Sequence, residues 1–299
     1  MSNSPEKVDP QLGGVPETLL IPLWARALEQ RRADPLIVDP DSTRIIESLD
    51  YDFTNFEKKR VETENFCVRS RVVDNVVSEI LTASPGTPVI EFGPGLDSRF
   101  HRIGHLASSW LEVDLPEVIA LRNQFFAPHP QRSVVRSSML DTAWMELCGN
   151  FVKPPLFIAE GVFYFFSHDQ IRGLLSGIGT QFPGASFVFD AVSPAYLKLS
   201  NWRHPLKTSM LKFALSPGAA EISQWDAEWS VQKYVGYGDS PWYDSVMHRF
   251  AWWKRTAVRF LPFARHAFMI VHARSKHVVD NQAKKATDDD QTTGTEASP

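Results

Sequence analysis

Residues 88–97 read PVIEFGPGLD, a short apolar run that ends in a glycine-rich turn. The run Pro88–Phe92 predicts a buried β-strand, and the turn Gly93–Pro94–Gly95 predicts the connection to a following helix. Glycine at such a turn lets the backbone approach a ligand closely, because it has no Cβ to clash. Asp97 is placed to cap the next helix. The same kind of turn also joins strand to helix where no ligand binds, so this segment alone leaves both interpretations open.

Apolar runs of similar length recur downstream, with helical sequence between most of them. They are Trp110–Asp114, Ser133–Val135, Leu156–Ala159, Ser186–Asp190 and Phe268–His272. Strands that alternate with helices predict βαβ units and a parallel sheet. We therefore expect an α/β fold with a mostly parallel, twisted sheet and helices on both faces.

The other segments predict additions to one central domain. Helical spacing of apolar residues precedes the first strand, and an aromatic-rich stretch later interrupts the strand rhythm. The two ends of the chain are too polar to bury a core. We expect disordered tails over residues 1–14 and 278–299 and a single domain over 15–277, divided into a helical lid (15–84), a ligand-binding core (85–191), a helical cap insertion (192–235) and a C-terminal helix and strand (236–277).

Composition narrows the class of partner. The 299 residues carry a net charge of -4, which gives no electrostatic basis for binding nucleic acid. No apolar run is long enough to span a bilayer, and the first ten residues lack the apolar segment of a secretory signal. Cys67 and Cys148 lie far apart, as is typical of reduced thiols in the cytoplasm, and the histidines show no metal-binding spacing. We expect a cytoplasmic protein that acts on a small molecule, without a metal, nucleic-acid or membrane partner.

Acidic residues stand at two more strand ends, Asp114 and Glu160. Ligands of parallel sheets bind at the carboxyl ends of the strands. Asp114 can accept both ribose hydroxyls of an adenosyl group or serve as an acidic residue at the start of the next helix. Glu160 can pair with the ammonium of a methionine moiety or be a surface or capping residue. The three acidic positions on successive strand ends are more specific together than any one alone. The pattern differs from the dinucleotide motif GxGxxG, because the third glycine is absent and Glu91 puts a carboxylate where a pyrophosphate would lie. This disfavours an NAD(P)-dependent oxidoreductase.

Taken together, these segments resemble the leucine carboxyl methyltransferases and, more closely, their polyketide-biosynthesis O-methyltransferase relatives. The likeness runs from about Gly14 to Asp190. The matching segments are Gly14–Val15–Pro16–Glu17–Thr18, Arg26–Ala27, Asp34–Pro35–Leu36 with Asp39–Pro40, Arg69–Ser70–Arg71 with Asp74, Glu91 to Arg99, Asp114 to Val118, and Ala159–Glu160–Gly161.

The resemblance implies a Rossmann-like class I methyltransferase fold and a site for S-adenosylmethionine. In such a site Arg69 would meet the carboxylate of the cofactor, Glu160 its amino group and Asp114 its ribose. Gly93 would face the methionine part, and Ser138–Met139 fall where the family contacts adenine. The complete set of expected cofactor-binding residues is Arg69, Glu91, Gly93, Gly95, Asp114, Ser138, Met139 and Glu160.

The sequence departs from the family at two places. The leucine-carboxyl branch has an Asp–Leu pair where this chain has Ser138–Met139, and the run from Ser138 to Trp144 is similar to the polyketide branch instead. Phe165–Phe166 replace a Tyr–Leu pair of the family, with Tyr164 one residue earlier. We expect the acceptor pocket between the cap and the strand ends, with Tyr164, Phe165, Trp202 and Arg203 as its candidate residues.

Methyl transfer from a sulfonium is a direct displacement, so positioning supplies much of the catalysis. A carboxylic acid, with a pKa near ~4, is already ionised at neutral pH, whereas a phenol near ~10 benefits from a general base. No convincing base stands at a strand end, which favours a carboxylate acceptor and a methyl ester product. His168 and His204 are alternative bases for a hydroxyl acceptor.

We therefore expect an S-adenosylmethionine-dependent O-methyltransferase that acts on a small, polyketide-like carboxylate or hydroxyl. Two alternatives stay open at this point. One is a cofactor-binding homologue that does not methylate and serves as a regulator or scaffold. The other is a protein C-terminal carboxyl methyltransferase, which Ser138 and the aromatic cap disfavour.

Overall fold

The computed structural model describes residues 7–10, 16–58, 61–148, 151–203, 211–225 and 228–276. The strands are β1 (Val89–Phe92), β2 (Trp110–Asp114), β3 (Arg132–Arg136), β4 (Leu156–Ala159), β5 (Ser186–Val192), β6 (Trp229–Gly236) and β7 (Phe268–Ser275). The α-helices are α1 (Leu20–Gln30), α2 (Pro40–Ser48), α3 (Thr54–Lys58), α4 (Thr63–Ala83), α5 (Arg99–Ile103), α6 (Pro116–Arg122), α7 (Ala143–Leu147), α8 (His168–Gln181), α9 (Pro194–Arg203), α10 (Glu221–Trp225), α11 (Pro241–Val246), α12 (Trp252–Phe260) and α13 (Pro262–Arg265).

The strands form one seven-stranded sheet in the order β3-β2-β1-β4-β5-β7-β6. Strands β1 to β5 pair in parallel, and β7 runs antiparallel to both β5 and β6. This confirms the predicted α/β class with a mostly parallel sheet. The chain leaves β1 in one direction toward β2 and β3, and later returns to its other side with β4. A crevice opens at such a switch point, at the carboxyl ends of the strands.

Side chains alternate between the two faces of the sheet, and both faces are covered. Ile90 and Phe157 pack into one apolar cluster with α7 and α8, whereas Val89 and Ile158 pack into another with α4 and α11. Burial on both sides explains why these strands read as continuous apolar runs. The first face is unusually aromatic, and Phe157 is fully buried in it among Phe92, Trp144, Phe182 and Phe187.

The region expected to be a helical cap differs from the prediction. Residues 194–203 and 221–225 are helical, but residues 229–236 form β6, the outermost strand of the sheet. Only the two end residues of β6 are buried, so its sequence lacks the apolar run that marks the inner strands. Trp229, at the start of β6, falls within the predicted cap insertion (192–235). In the structure it packs on the sheet, and its Nε1 donates to the carbonyl oxygen of Leu175 (2.9 Å).

The segment before the first strand is helical, with α1 to α4. Part of the expected N-terminal tail is ordered: Val8 forms a parallel bridge with Leu49, because its side chain packs against the apolar cluster beneath α1 and α2. The rest of that tail and residues 278–299 lie outside the described ranges. Within those ranges, no helix combines the length and the apolar character needed to cross a bilayer.

Candidate functional site

A cavity of about 520 Å³ opens at the carboxyl ends of β1, β2 and β4. This is the place that the sheet topology predicts for a ligand. Nine of the twelve residues predicted from the sequence line it. They are Arg69, Gly93, Gly95, Asp114, Ser138, Met139, Glu160, Tyr164 and Phe165.

The turn after β1 forms the floor of the cavity. Gly93 and Gly95 both adopt positive φ, at 60° and 54°, a region that favours glycine. Asp114, at the end of β2, holds this turn: its carboxylate accepts from the backbone N–H of Gly95 (2.9 Å) and from that of Leu115 (2.8 Å). Burial raises the pKa of Asp114 to about 6, against the effect of these two hydrogen bonds. The carboxylate therefore titrates just below neutral pH.

On the other side of the turn, Arg69 and Glu160 form an ion pair. Arg69, on α4, donates from Nε to Glu160 Oε1 (2.8 Å), and the hydroxyl of Ser70 donates to the same oxygen (2.8 Å). Burial disfavours the charge on Glu160, but the charges of Arg99 and Arg69 outweigh it and keep its pKa below the usual range. The cavity thus presents one fixed cation and one fixed anion side by side.

The structure does not place the side chain of Glu91 in the predicted cofactor site. Its side chain is buried and does not line the cavity. It accepts from Arg99 Nη1 (2.5 Å) and from Trp110 Nε1 (3.1 Å). The reason is the alternation of the strand: Glu91 lies one residue inside the end of β1 and points to the same face as Val89, toward α4 and α5.

Arg99 is one of two residues beside the cavity that the sequence interpretation did not single out. It is fully buried at the start of α5, where Nε donates to Asp74 Oδ1 (2.7 Å) and Nη2 donates to Glu160. Arg99 therefore binds three carboxylates, those of Asp74 on α4, Glu91 on β1 and Glu160 after β4. The signal in the sequence was its position: Arg99 ends the segment that also contains the acidic residues Glu91 and Asp97.

The cap expected at Asp97 is also wrong. Ser98 occupies the N-cap position of α5, and its side chain forms no capping hydrogen bond. The carboxylate of Asp97 instead accepts from Arg102 Nη1 (2.8 Å) and lies 3.4 Å from Arg99 Nη2. The nearby guanidinium groups compete successfully with the backbone N–H groups for this carboxylate.

A second missed residue, Asp190, lies in β5 next to β4. Its Oδ2 accepts from the hydroxyl of Tyr164 (2.6 Å), and its Oδ1 accepts from the backbone N–H of Gly161 (2.7 Å). Arg69 Nη1 is 3.5 Å from the same carboxylate. Asp190 is fully buried and positions the groups around Glu160 from behind. A charged residue within an otherwise apolar strand was the signal for it.

The far end of the cavity is apolar and aromatic. Val192, Tyr196, Leu211 and Phe268 belong to one apolar cluster there, and Phe165 and Phe166 also line the cavity. Two of the four predicted acceptor residues, Tyr164 and Phe165, belong to the cavity. Trp202 does not: it is 79% exposed on α9 and does not line the cavity. The side chain of Arg203 lies outside the part of the chain that is described.

Of the two alternative bases, His168 does not line the cavity. His168 starts α8, and its Nε2 is paired with the carbonyl oxygen of Ala214 (2.9 Å) in contact with Phe213 and Trp225. His204 lies outside the described residues. Of the residues that the structure describes, no histidine lines the cavity.

The donor and acceptor groups of the cavity fit S-adenosylmethionine. An amino acid terminus needs a cation for its carboxylate and an anion for its ammonium, and Arg69 and Glu160 supply these within one ion pair. A ribose diol needs an acceptor pair, which Asp114 supplies. Ser138 and the buried Met139 follow β3 at the cavity edge, where they offer polar and apolar contacts to a flat ring.

Comparison with known proteins gives a family match. The sequence model described as leucine carboxyl methyltransferase matches residues 20–179. This range contains strands β1 to β4, the turn between Gly93 and Gly95, and the residues Arg69, Asp114 and Glu160. More than half of the chain is therefore covered.

Curated relatives are also methyltransferases. The tetracenomycin polyketide synthesis O-methyltransferase TcmP of Streptomyces glaucescens is 27% identical over 249 residues, which cover 76% of this chain and 92% of that protein. The S-adenosyl-L-methionine-dependent methyltransferase dpfgK of Gibberella zeae is 29% identical over 186 residues, which cover 57% of this chain and 62% of that protein.

Among solved structures, a candidate methyltransferase from Thermobifida fusca YX superposes with a TM-score of 0.54. The match covers 84% of this chain and 94% of that one at 13% sequence identity. At this identity the similarity concerns the fold alone.

Proposed function

The chain belongs to the leucine carboxyl methyltransferase family and is an S-adenosylmethionine-dependent methyltransferase, and we propose that it transfers the methyl group to an oxygen atom of a small, polyketide-like acceptor. The observation that carries the proposal is the division of one cavity into two ends. Arg69, Asp114 and Glu160 stand at one end, and an aromatic wall with Phe165 and Phe268 stands at the other. A polar cofactor and a flat apolar acceptor would meet between them.

We assign the cofactor-binding roles to the residues that line the first end. Arg69 holds the carboxylate of the cofactor, Glu160 its amino group, and Asp114 its ribose hydroxyls. When bound, the cofactor supplies a methyl group activated by its sulfonium charge. Arg99 and Asp190 are positioning residues, because they fix Glu160 and Gly161 from behind the cavity wall.

A carboxylate acceptor agrees best with the ionisable groups of the cavity. Burial and the neighbouring Asp190 raise the pKa of Tyr164 far above its usual range, so its phenol stays protonated at neutral pH. The carboxylates that line the cavity stand at the cofactor end, and arginines hold the pKa of Glu160 and Asp97 below the usual range despite burial. An acceptor that is already ionised needs no base, whereas a hydroxyl would need one. We therefore propose a methyl ester product.

Two further features belong to this proposal. Residues 15–84 would act as a lid, because Leu19, Ile21 and Pro22 line the cavity from the N-terminal helices. The enzyme would work in the cytoplasm, since Cys67 and Cys148 are both buried and unpaired, as is usual where thiols stay reduced.

The test uses two probes that share one ring system, 1-naphthoic acid and 1-naphthol. Each is incubated with the purified chain and S-adenosylmethionine, and methyl ester, methyl ether and S-adenosylhomocysteine are measured by mass spectrometry. We expect the ester, with a rate that stays flat above pH 7 because the acid is fully ionised there. Ether as the main product, with a rate that rises with pH, would contradict the carboxylate assignment.

Matched variants separate the two ends of the cavity. Phe165→Ala should raise the KM for 1-naphthoic acid and leave the Kd for S-adenosylmethionine unchanged, whereas Asp114→Ala should weaken the cofactor. Trp202→Ala is the control, because this exposed side chain lies outside the cavity. Tight cofactor binding without turnover of either probe would favour the non-methylating alternative. Turnover of a peptide with a C-terminal leucine would favour the protein carboxyl methyltransferase.

A further inference from the structure

Large apolar side chains are exposed around α12. Among the described residues, eleven large hydrophobic side chains are exposed, and five of them fall between residues 252 and 263. They are Trp252 (72% exposed), Trp253 (55%), Phe260 (69%), Leu261 (41%) and Phe263 (60%). Scattered single exposed residues need no explanation, but a contiguous group of this size marks a binding surface. We call these five residues, together with Arg255 and Arg259, the α12 surface.

The helix separates its side chains into three sectors. At about 100° per residue, Trp252, Trp253 and Phe260 share one arc of the helix, and Arg255 and Arg259 form a second arc directly beside Trp252. The remaining arc carries Val258, the one buried residue of α12. The exposed part of the helix is therefore amphipathic by itself, with an aromatic stripe next to a basic one.

The charge of this region is mainly positive. Residues 245–276 contain no aspartate or glutamate, although the whole chain carries a net charge of -4. Lys254 is paired with Glu62, but Arg255 and Arg259 form no ion pair with any residue in the described ranges. Both arginines line a groove of about 600 Å³ beside α12, together with Arg265, Trp252 and Phe260; Asp244 is the single acidic residue among the described residues that line it. The groove thus places guanidinium groups next to the exposed aromatic rings of Trp252 and Phe260.

These features together fit an anionic bilayer surface. Interfacial helices combine basic residues on one face with Trp, Phe and Leu on another, and lie in the plane of the headgroups. Basic residues near an anionic leaflet add binding energy, and the aromatic rings enter the headgroup level. A second copy of the chain fits less well, because a two-fold contact would bring Arg255, Arg259 and Arg265 of both copies together with only one acid, Asp244, from each.

We propose that the α12 surface binds peripherally to bilayers that contain anionic phospholipids, with Arg255 and Arg259 at the phosphates and Trp252, Trp253 and Phe260 in the headgroup layer. This inference does not depend on the methyl acceptor. It differs from the expectation, drawn from the sequence, that the protein has no membrane partner.

The test is flotation of the full chain with vesicles of pure phosphatidylcholine or of phosphatidylcholine with phosphatidylglycerol (7:3). We expect binding only to the anionic vesicles, a blue shift of tryptophan fluorescence, and loss of binding at high salt. The double variant Arg255→Glu/Arg259→Glu should bind at least about thirtyfold more weakly, because each basic residue contributes near an anionic surface. The matched control Arg31→Glu/Arg172→Glu makes the same charge change at two exposed arginines elsewhere and should bind like the wild type.

A third variant, Trp252→Ser/Phe260→Ser, should lose the blue shift and most of the binding while it keeps its affinity for S-adenosylmethionine. Absence of binding to anionic vesicles by the folded wild type would overturn the proposal. So would wild-type affinity in the Glu variant. Concentration-dependent dimers that the Ser variant abolishes would assign the surface to a second copy. Binding to soluble polyglutamate that is as tight as binding to vesicles, without a blue shift, would assign it to an acidic protein.

Discussion

Asp114 offers the sharpest test of how the cavity holds its cofactor. Its two oxygens already accept the backbone N–H groups of Gly95 and Leu115, and each has lone pairs left for a ribose hydroxyl. Hydrogen bonds to a charged group contribute about 1.5–3 kcal/mol each. The variant Asp114→Ala loses two such bonds to the ribose, about 3 kcal/mol or more, so we expect at least about a hundredfold weaker binding of S-adenosylmethionine.

Isothermal titration calorimetry with S-adenosylmethionine and S-adenosylhomocysteine measures this loss directly. The control is Glu117→Ala, which removes the same charge from an exposed residue in the first turn of α6. Because Asp114→Ala also frees the backbone of the glycine turn, circular dichroism must first show that the variant is folded. A folded Asp114→Ala protein that binds within threefold of the wild type would refute the ribose assignment.

The same residue sets a pH dependence. The ionised carboxylate has more acceptor capacity than the neutral acid, and the pKa of Asp114 is raised to about 6. Affinity should therefore be full above pH 7 and fall as the pH drops through about 6, by about tenfold between pH 7 and pH 5. The amino and carboxyl groups of the cofactor do not titrate in this window. Asp114→Ala should show a flat profile there, and a flat profile in the wild type would contradict the argument.

Four further substitutions, of which Gly86→Ala is a control, test the fold. Gly93→Ala and Gly86→Ala both place a side chain at positive φ, but only at Gly93 would the new Cβ lie 2.5 Å from Val162 Cγ2. We therefore expect Gly93→Ala to lower the cofactor affinity and the melting temperature clearly more than Gly86→Ala does. Equal losses in the two variants would exclude the steric explanation. Phe157→Ala should cost about 3–5 kcal/mol of unfolding free energy in urea, because its fully buried ring leaves a cavity. Ser167→Ala should cost about 1 kcal/mol in the same assay, since it removes the capping box of α8, and an unchanged midpoint would contradict that role.

The inner sheet could be predicted because its strands are buried on both faces. In β1, β4 and β5 almost every residue is apolar, and the bounds seen in the structure agree with the runs in the sequence to within two residues. The edge strand β6 could not be found in this way, because most of its residues are partly exposed and the polar residues Ser230, Gln232 and Lys233 interrupt its apolar ones. Its partner β7 was predicted, since it lies inside the sheet between β5 and β6.

Residues of the site could be predicted from the sequence when they stand at the end of a strand. They could not be predicted when their role depends on contacts between elements that are distant in the sequence. Asp114 and Glu160 follow from their positions, because parallel strands bring their carboxyl ends to one edge. The error at Glu91 came from counting it as a strand-end residue, whereas the alternation of β1 turns it to the opposite face. The partners of Arg99 come from separate elements, and no local pattern specifies which carboxylates will meet it.

Arg99 gives a physical reason for the acidic residue that precedes the glycine turn. A buried carboxylate at Glu91 would be costly alone, but Arg99 pairs it and Glu160 at the same time. Asp74 and Asp97 also pair with Arg99, so Glu91 is one of four acidic partners of this guanidinium. We expect removal of Glu91 to rearrange these ion pairs and thereby to shift the carboxylate of Glu160. Glu91 thus acts on the cofactor site through one guanidinium. A strand-interior acid can therefore belong to a binding motif even though its side chain never reaches the ligand.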